Sequence, residues 1–346
     1  MTKNRFSKFP PYLVNVSLLL LALVVNVAIG SVFIPPGSFI KILLNNLFEL
    51  DLAGSWPAHF ETIIFSIRLP HAVLILLTGA ALASSGAAYQ GLFRNPLADP
   101  YLIGVASGAG LGAVTAMALN WPNTLLGYYL IPISAFVGAV LTILVVYNLA
   151  KVGKMVPLTT LILSGTAVAA FTSAITSFLM LNSDDQIHRA IAFLLGGSPM
   201  AGWDPVLASL PYMVVGMGLL CFLGHPLNLL QFGEEQAQQM GLDVERSKTI
   251  VIVVASLTTA VAVSFSGVIG FIGLVVPHML RMLWGPDYRQ LIPLSVIAGA
   301  TTLLFADVIA RWVMSPQVLP VGIVTALIGA PFFLWILRRA KAEVFW

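Results

Sequence analysis

Ten apolar runs, most of them about twenty residues long, follow one another along this chain with almost no charge inside them, and this restricts the fold more than any motif does. They cover residues 12–34, 71–92, 101–119, 127–149, 157–181, 205–223, 248–266, 270–284, 291–312 and 319–337. In hydrocarbon each backbone N–H and C=O needs a partner within the protein, so runs of this length are expected to be helices. Only 9% of the 346 residues are charged and 58% are hydrophobic, against roughly a quarter charged in soluble domains. The fold class expected is therefore all-α, a polytopic membrane protein of about ten transmembrane helices in one domain over 1–346. Residues 12–337 form the bundle, flanked by tails at 1–11 and 338–346.

Ten spans place both termini on one side. Counting Lys and Arg by side tests which one that is. Lys3, Arg5, Lys8, Arg94, Lys151, Lys154, Arg246, Lys248, Arg281, Arg289, Arg338, Arg339 and Lys341 make 13 on the terminal side, and Lys41, Arg68, Arg189 and Arg311 make 4 on the other. The positive-inside bias assigns the termini to the cytoplasm and the chain to the cell membrane. The same distribution argues against nucleic acid as a partner, because the basic residues fall singly or in small groups between apolar runs. A short amphipathic stretch at 39–50 and the segment Glu61–Arg68 read as extramembrane pieces on the far side. Cys221 stands alone inside an apolar run and forms no internal disulfide; packing is its expected role.

Glycine and proline concentrate within the spans, around Leu77–Gly91, Gly104–Gly112 and Ser264–Gly273. Small residues let helices approach closely in lipid, and breaks survive where neighbouring protein satisfies the freed carbonyls. A tight bundle with short or broken helices is expected. Weak likeness between Ser84-Ser85-Gly86 and Ser264-Phe-Ser266-Gly267, on oppositely directed spans, points to an inverted repeat.

Catalytic patterns are absent. The sequence has no phosphate-binding glycine loop, zinc spacing or nucleophile elbow, and His59, His71, His188, His225 and His278 are scattered over both sides. No metal or cofactor is expected on this chain, and it does not read as an enzyme. A proton- or sodium-coupled carrier would bury ionisable groups in mid-span. The nearest candidate, Asp307, lies four residues before Arg311, where an ion pair or helix-end contact is favoured over a proton relay. The most polar terminal-side segment, 225–248, predicts a short helix from Glu234 to Met240 stopped by Gly241, with Asp243 as the next N-cap. It reads equally as a solvated loop or as a docking element presenting Ala237, Met240 and Leu242 as apolar points.

Several motifs carry a resemblance. Arg68-Leu-Pro-His71, Thr78-Gly-Ala-Ala-Leu-Ala-Ser-Ser-Gly86 and Gln90-Gly-Leu-Phe-Arg-Asn-Pro-Leu-Ala-Asp-Pro-Tyr-Leu-Ile-Gly104 are followed in order by Gly233–Leu242, Gly267–Arg281 and Leu319–Phe333. From Arg68 to Leu337 the chain resembles the FecCD family, permease subunits of type II ABC importers for ferric siderophores, haem and cobalamin. The resemblance implies a cobalamin-importer-permease-like bundle that pairs with a second permease copy, most simply as a homodimer. It also implies two cytoplasmic ATPase subunits, which carry the ATP and magnesium, and a soluble binding protein outside. Gly233, Glu234, Glu235, Ala237, Met240, Gly241 and Leu242 would form the coupling helix that receives the ATPase stroke. Pro157, Leu158, Thr159, Thr160, Ser164 and Thr166 would line the translocation pathway near its cytoplasmic gate, although such hydroxyls serve helix packing equally well. Arg68 and Arg311 match positions where cobalamin-type permeases present arginines, in water, to acidic residues of the binding protein. His71 stands where that pattern has a second arginine, a departure that removes part of the docking charge. The function expected is import of a metal chelate by alternating access, a ferric siderophore before cobalamin or haem, with a stand-alone secondary transporter as the lesser alternative.

Overall fold

The computed structural model describes residues 10–30, 32–48, 56–57, 59–119, 125–153, 155–181, 186–198 and 200–344. Lys3, Arg5, Lys8 and Lys154 from the charge count lie outside the described residues. Among those described, the architecture is helical: α1 Pro11–Ala28, α2 Pro36–Phe48, α3 His59–Thr62, α4 Leu69–Leu92, α5 Val105–Ala118, α6 Leu125–Ala150, α7 Leu158–Leu181, α8 Ile187–Leu194, α9 Asp204–Phe222, α10 Gly224–Leu230, α11 Glu234–Gln239, α12 Val244–Ser266, α13 Ile272–Trp284, α14 Tyr288–Val313 and α15 Val321–Val344. Seven helical stretches are long and apolar enough to cross a membrane, and α5, α13 and the apolar part of α15 are shorter. These ten elements correspond one for one to the ten apolar runs. The chain is an integral membrane protein.

Two boundaries differ from expectation. Glu61–Arg68 is not a separate segment: α3, a π-helical turn at Ile63–Arg68 and α4 run on as one helix of 34 residues. At 1.5 Å per residue that is about 51 Å, so the helix outreaches a hydrocarbon core of roughly 30 Å and its first turns project beyond it. The second difference is that the runs 101–119 and 270–284 give half-length helices, of 14 and 13 residues.

Both short helices start near the middle of α4. Thr78 Oγ1 shares a hydrogen bond of 2.6 Å with Ser266 at the end of α12, and a Cβ on Gly86 would overlap the Gly273 carbonyl near the start of α13. The α12–α13 break therefore lies at the depth of residues 78–86 of α4. Gly267 and Phe271 take positive φ there, +75° and +69°, a conformation natural to glycine and uncommon for phenylalanine. The other half-length helix begins at the same depth, because Tyr101 Oη donates to Ile269 O at 2.8 Å and accepts from Ile269 N at 3.2 Å. One tyrosine hydroxyl thus satisfies backbone groups that the break would leave bare in lipid. The short α8 ends against this junction as well, with Val268 N donating to Phe193 O at 3.0 Å.

The core is built on α4, α12 and α14. The central window of α12 is 67% buried, whereas that of α7 is 17% buried, the least of the seven spans. Close packing of α4 on α14 depends on Gly79 and Gly299, where a side chain on either would strike the other's carbonyl.

Candidate functional site

The bundle has two polar ends, separated by the length of α4. One holds Arg68 and His71 at the start of α4, and the other holds Gln90 and Gly91 at its finish.

The second end carries α11. Gly233, at φ +108°, turns the chain out of α10, and Glu234 and Glu235 occupy the first turn of α11, where the helix dipole favours negative charge. The helix ends in a Schellman motif: Gly241 N donates to Gln238 O at 2.9 Å and Leu242 N to Ala237 O at 3.0 Å, with Gly241 at φ +90°. Asp243 then caps α12 by accepting from Arg246 N at 3.1 Å. The short helix, its glycine stop and the aspartate cap all fall where the sequence predicts them. Of its three predicted apolar points, Met240 alone faces outward. Ala237 is fully buried and anchors α11 to the bundle, Leu242 is half-buried, and the apolar side chains facing outward are Met240 and Phe232, the latter 64% exposed.

The segment is braced on both sides. Gln231 Nε2 donates to Gly91 O at 2.9 Å, and Asn228 Nδ2 donates to the Asp287 carboxylate at 2.6 Å while its Oδ1 accepts from Tyr288 N at 2.9 Å. That same hydrogen bond from Asn228, with the amide of Arg289, holds the Asp287 carboxyl below the usual carboxylate range. On the other flank Lys248 Nζ lies 3.2 Å from Glu234 and 2.7 Å from Glu245, and Glu245 Oε2 accepts from Val156 N at 3.1 Å. Sequence reasoning left Lys248 among the cytoplasmic cations and did not single out Glu245, although their three-residue spacing on one helix face signals a pair.

Val156 leads into α7, which carries the predicted pathway residues. Pro157, Leu158, Thr160 and Ser164 are half-buried, and Thr159 and Thr166 are exposed. Thr166 Oγ1 donates to Ile162 O at 2.9 Å, and Thr172, Thr176 and Ser177 make the same bond to the preceding turn. These hydroxyls are satisfied by their own helix, and Thr172 and Thr176 are buried.

At the opposite end the structure corrects an expectation. Arg68 and Arg311 do not stand free in water: Arg68 is 6% exposed, and both guanidiniums are turned onto the carbonyls that end α1. Arg68 donates to Val27 O, Ala28 O and Val32 O, and Arg311 to Asn26 O at 2.9 Å and Ile29 O at 3.0 Å. A helix ending inside a bundle leaves four carbonyls without partners, and a guanidinium with five donors is well suited to them. Asp307, itself buried, completes the cluster through His71 Nε2, Arg311 Nε and Asn26 Nδ2, each at 2.9 Å. Of the two readings of Asp307 and Arg311, the ion pair is observed. A cavity of about 310 Å³ opens beside them, lined by Ser66, His71, Met200 and Arg311 among others. A second, of about 290 Å³, is also lined by His71 and Met200 and reaches Gly196 and Ser266 at the mid-depth junction. Among the described residues no group of three or more metal-ligating side chains occurs.

An ABC transporter permease protein of Bacillus subtilis (strain 168), YvrB, is 37% identical over 336 residues, 97% of this chain and 95% of its own. The cobalamin import system permease protein BtuC of Halobacterium salinarum is 46% identical over 83% of this chain and 76% of its own, and the hemin transport system permease protein HmuU of Yersinia pestis is 39% identical over 80% and 84%. A solved structure of a metal-chelate type ABC transporter in an inward-facing conformation superposes with a TM-score of 0.82 at 29% identity, covering 94% of this chain and 98% of that one. The FecCD transport family matches residues 18–339, and with relatives above 30% identity over nearly the whole chain, the chain belongs to that family.

Proposed function

We propose that this chain is the permease subunit of an ATP-driven importer that moves a metal chelate into the cytoplasm by alternating access. It pairs with a second permease copy, takes its energy from two cytoplasmic ATPase subunits, and receives cargo from an extracytoplasmic binding protein. Both termini and α11 face the cytoplasm, in line with the excess of Lys and Arg on that side.

The observation that carries this reading is α11. It is a six-residue helix closed at both ends by glycine, anchored inward through Ala237, and flanked by the exposed Phe232 and Met240. An apolar pair on a polar, braced projection is what a partner's groove requires. Two further features support it: the chain offers no nucleotide-binding pattern of its own, and α7 is left largely uncovered, as a wall facing a second copy and a shared conduit must be. The relatives named above handle cobalamin and hemin, and another from Bacillus subtilis is named for Fe(3+)-citrate. A ferric chelate is the cargo proposed first, with cobalamin and haem next. With the Arg68 and Arg311 guanidiniums both committed to the end of α1, binding-protein docking falls to the rim of the cavity beside His71.

Replacing the exposed pair, Phe232→Glu with Met240→Glu, tests the coupling surface. Copurification of the ATPase with the permease is expected to drop at least about tenfold, since burying two carboxylates in an apolar groove is costly. Undiminished copurification and uptake would remove α11 from the interface.

A further inference from the structure

We propose that Lys248 is the positioning residue that passes a displacement of α11 to the foot of α7. This rests on α11 being the coupling helix, and it identifies the route by which that helix reaches the pathway.

Lys248 belongs to α12, yet the residue is 3% exposed and its ammonium stands between carboxylates on two elements: Glu234 of α11 at 3.2 Å and Glu245 of α12 at 2.7 Å. A buried ammonium is stable only while its partners stay in place. Glu245 has a second task. Its Oε2 accepts from Val156 N at 3.1 Å, and because Pro157 lacks an N–H, that amide is the last backbone donor before α7 begins. Val156 itself is buried, and the turn behind it is closed by the paired hydrogen bonds between Val152 and Met155, at 2.9 and 3.1 Å. One turn further along α12, Tyr147 Oη and Thr249 Oγ1 lie 3.1 Å apart and tie in the end of α6. A continuous polar chain therefore runs Glu234, Lys248, Glu245, Val156, from the first turn of α11 to the entry of α7. Among the described residues, these two contacts to Lys248 are the only ion pairs at this end of the molecule. Because the buried ammonium holds Glu234 and Glu245 together, a shift of Glu234 carries Glu245 with it, and the Val156 amide follows or loses its acceptor.

The test uses the full permease assembled with its ATPase in proteoliposomes, in a Cys221→Ser background carrying Thr159→Cys. The probe is a membrane-impermeant maleimide applied from the ATPase side, and the readout is its labelling rate with and without ATP. With Lys248 present, ATP is expected to change the rate about tenfold; Lys248→Met should cut that response below about twofold, and Lys248→Arg should restore most of it. Restoration by the charged variant separates a charge relay from loss of packing. A full ATP response in Lys248→Met, or an Arg variant as unresponsive as Met, overturns the proposal. If Lys248→Met does not assemble, Glu245→Ala decides: a lost response supports the relay and a full one overturns it. The underlying reading fails separately. If Phe232→Glu with Met240→Glu still copurifies with the ATPase, α11 is not the coupling helix, and if Thr159→Cys does not respond to ATP with Lys248 in place, the foot of α7 does not move.

Discussion

Asp307 shows what a single residue does in this bundle. Its carboxylate gathers His71, Arg311 and Asn26, and through Arg311 it holds the end of α1 against α14. Removing it would leave the partly buried Arg311 guanidinium without its counter-charge, against about 3–5 kcal/mol for breaking a fully buried pair. Asp307→Ala is accordingly expected to lower the thermal midpoint in detergent by several degrees, and Asp307→Ala with Arg311→Met to recover part of the loss. Equal midpoints for Asp307→Ala and the parent chain would mean the cluster does not fasten α1. The sequence disclosed the spacing of Asp307 and Arg311 but not the burial of Arg68, and the reason is physical. Counting cations by side treats each as solvated, whereas a guanidinium can equally well saturate helix-terminal carbonyls, and which carbonyls lie in reach depends on how α1 packs 40 residues away. Asn26 gave no signal beyond being polar in an apolar run.

Among elements, the most legible was α11. Gly233, Gly241 and Asp243 act through local backbone geometry, so the helix, its stop and the next start follow from neighbouring residues alone. That helices would be short or broken near Gly104–Gly112 and Ser264–Gly273 was legible from their small residues, but the contacts that hold the breaks were not. Hydropathy registers that a run is apolar, but the break at 267–271 is satisfied by the hydroxyl of Tyr101, more than 160 residues away in sequence and itself within the break at 93–104. The structure shows the same kind of cap at the start of α14, where Asp287 accepts from Arg289 N at 2.9 Å. Asp287→Ala should cost about 1 kcal/mol at neutral pH. Because the folded carboxyl is held below its unfolded value, its stabilisation is present above about pH 4 and is lost as pH falls through the folded value. The gap in thermal midpoint between variant and parent should therefore shrink on acidification below about pH 4. A gap that is constant with pH would show the carboxylate's charge to be irrelevant to the cap.

At the scale of the whole molecule, helices of full length provide a fixed frame around α4, α12 and α14, and the polar features lie at its two ends. The all-helical class and the order of ten apolar elements were readable because lipid imposes them through hydropathy. The contacts that cross between elements, such as the chain of groups from Glu234 to Val156, were not readable, since they depend on how distant helices pack. The central claim is that this permease moves cargo only as part of an ATP-driven assembly. The direct measurement is uptake of labelled ferric siderophore, haem and cobalamin into proteoliposomes holding the permease alone, with its ATPase, and with ATPase and binding protein together. Accumulation of one of them, only with all three proteins and ATP, is the predicted result; accumulation by the permease alone under an ion gradient would contradict it.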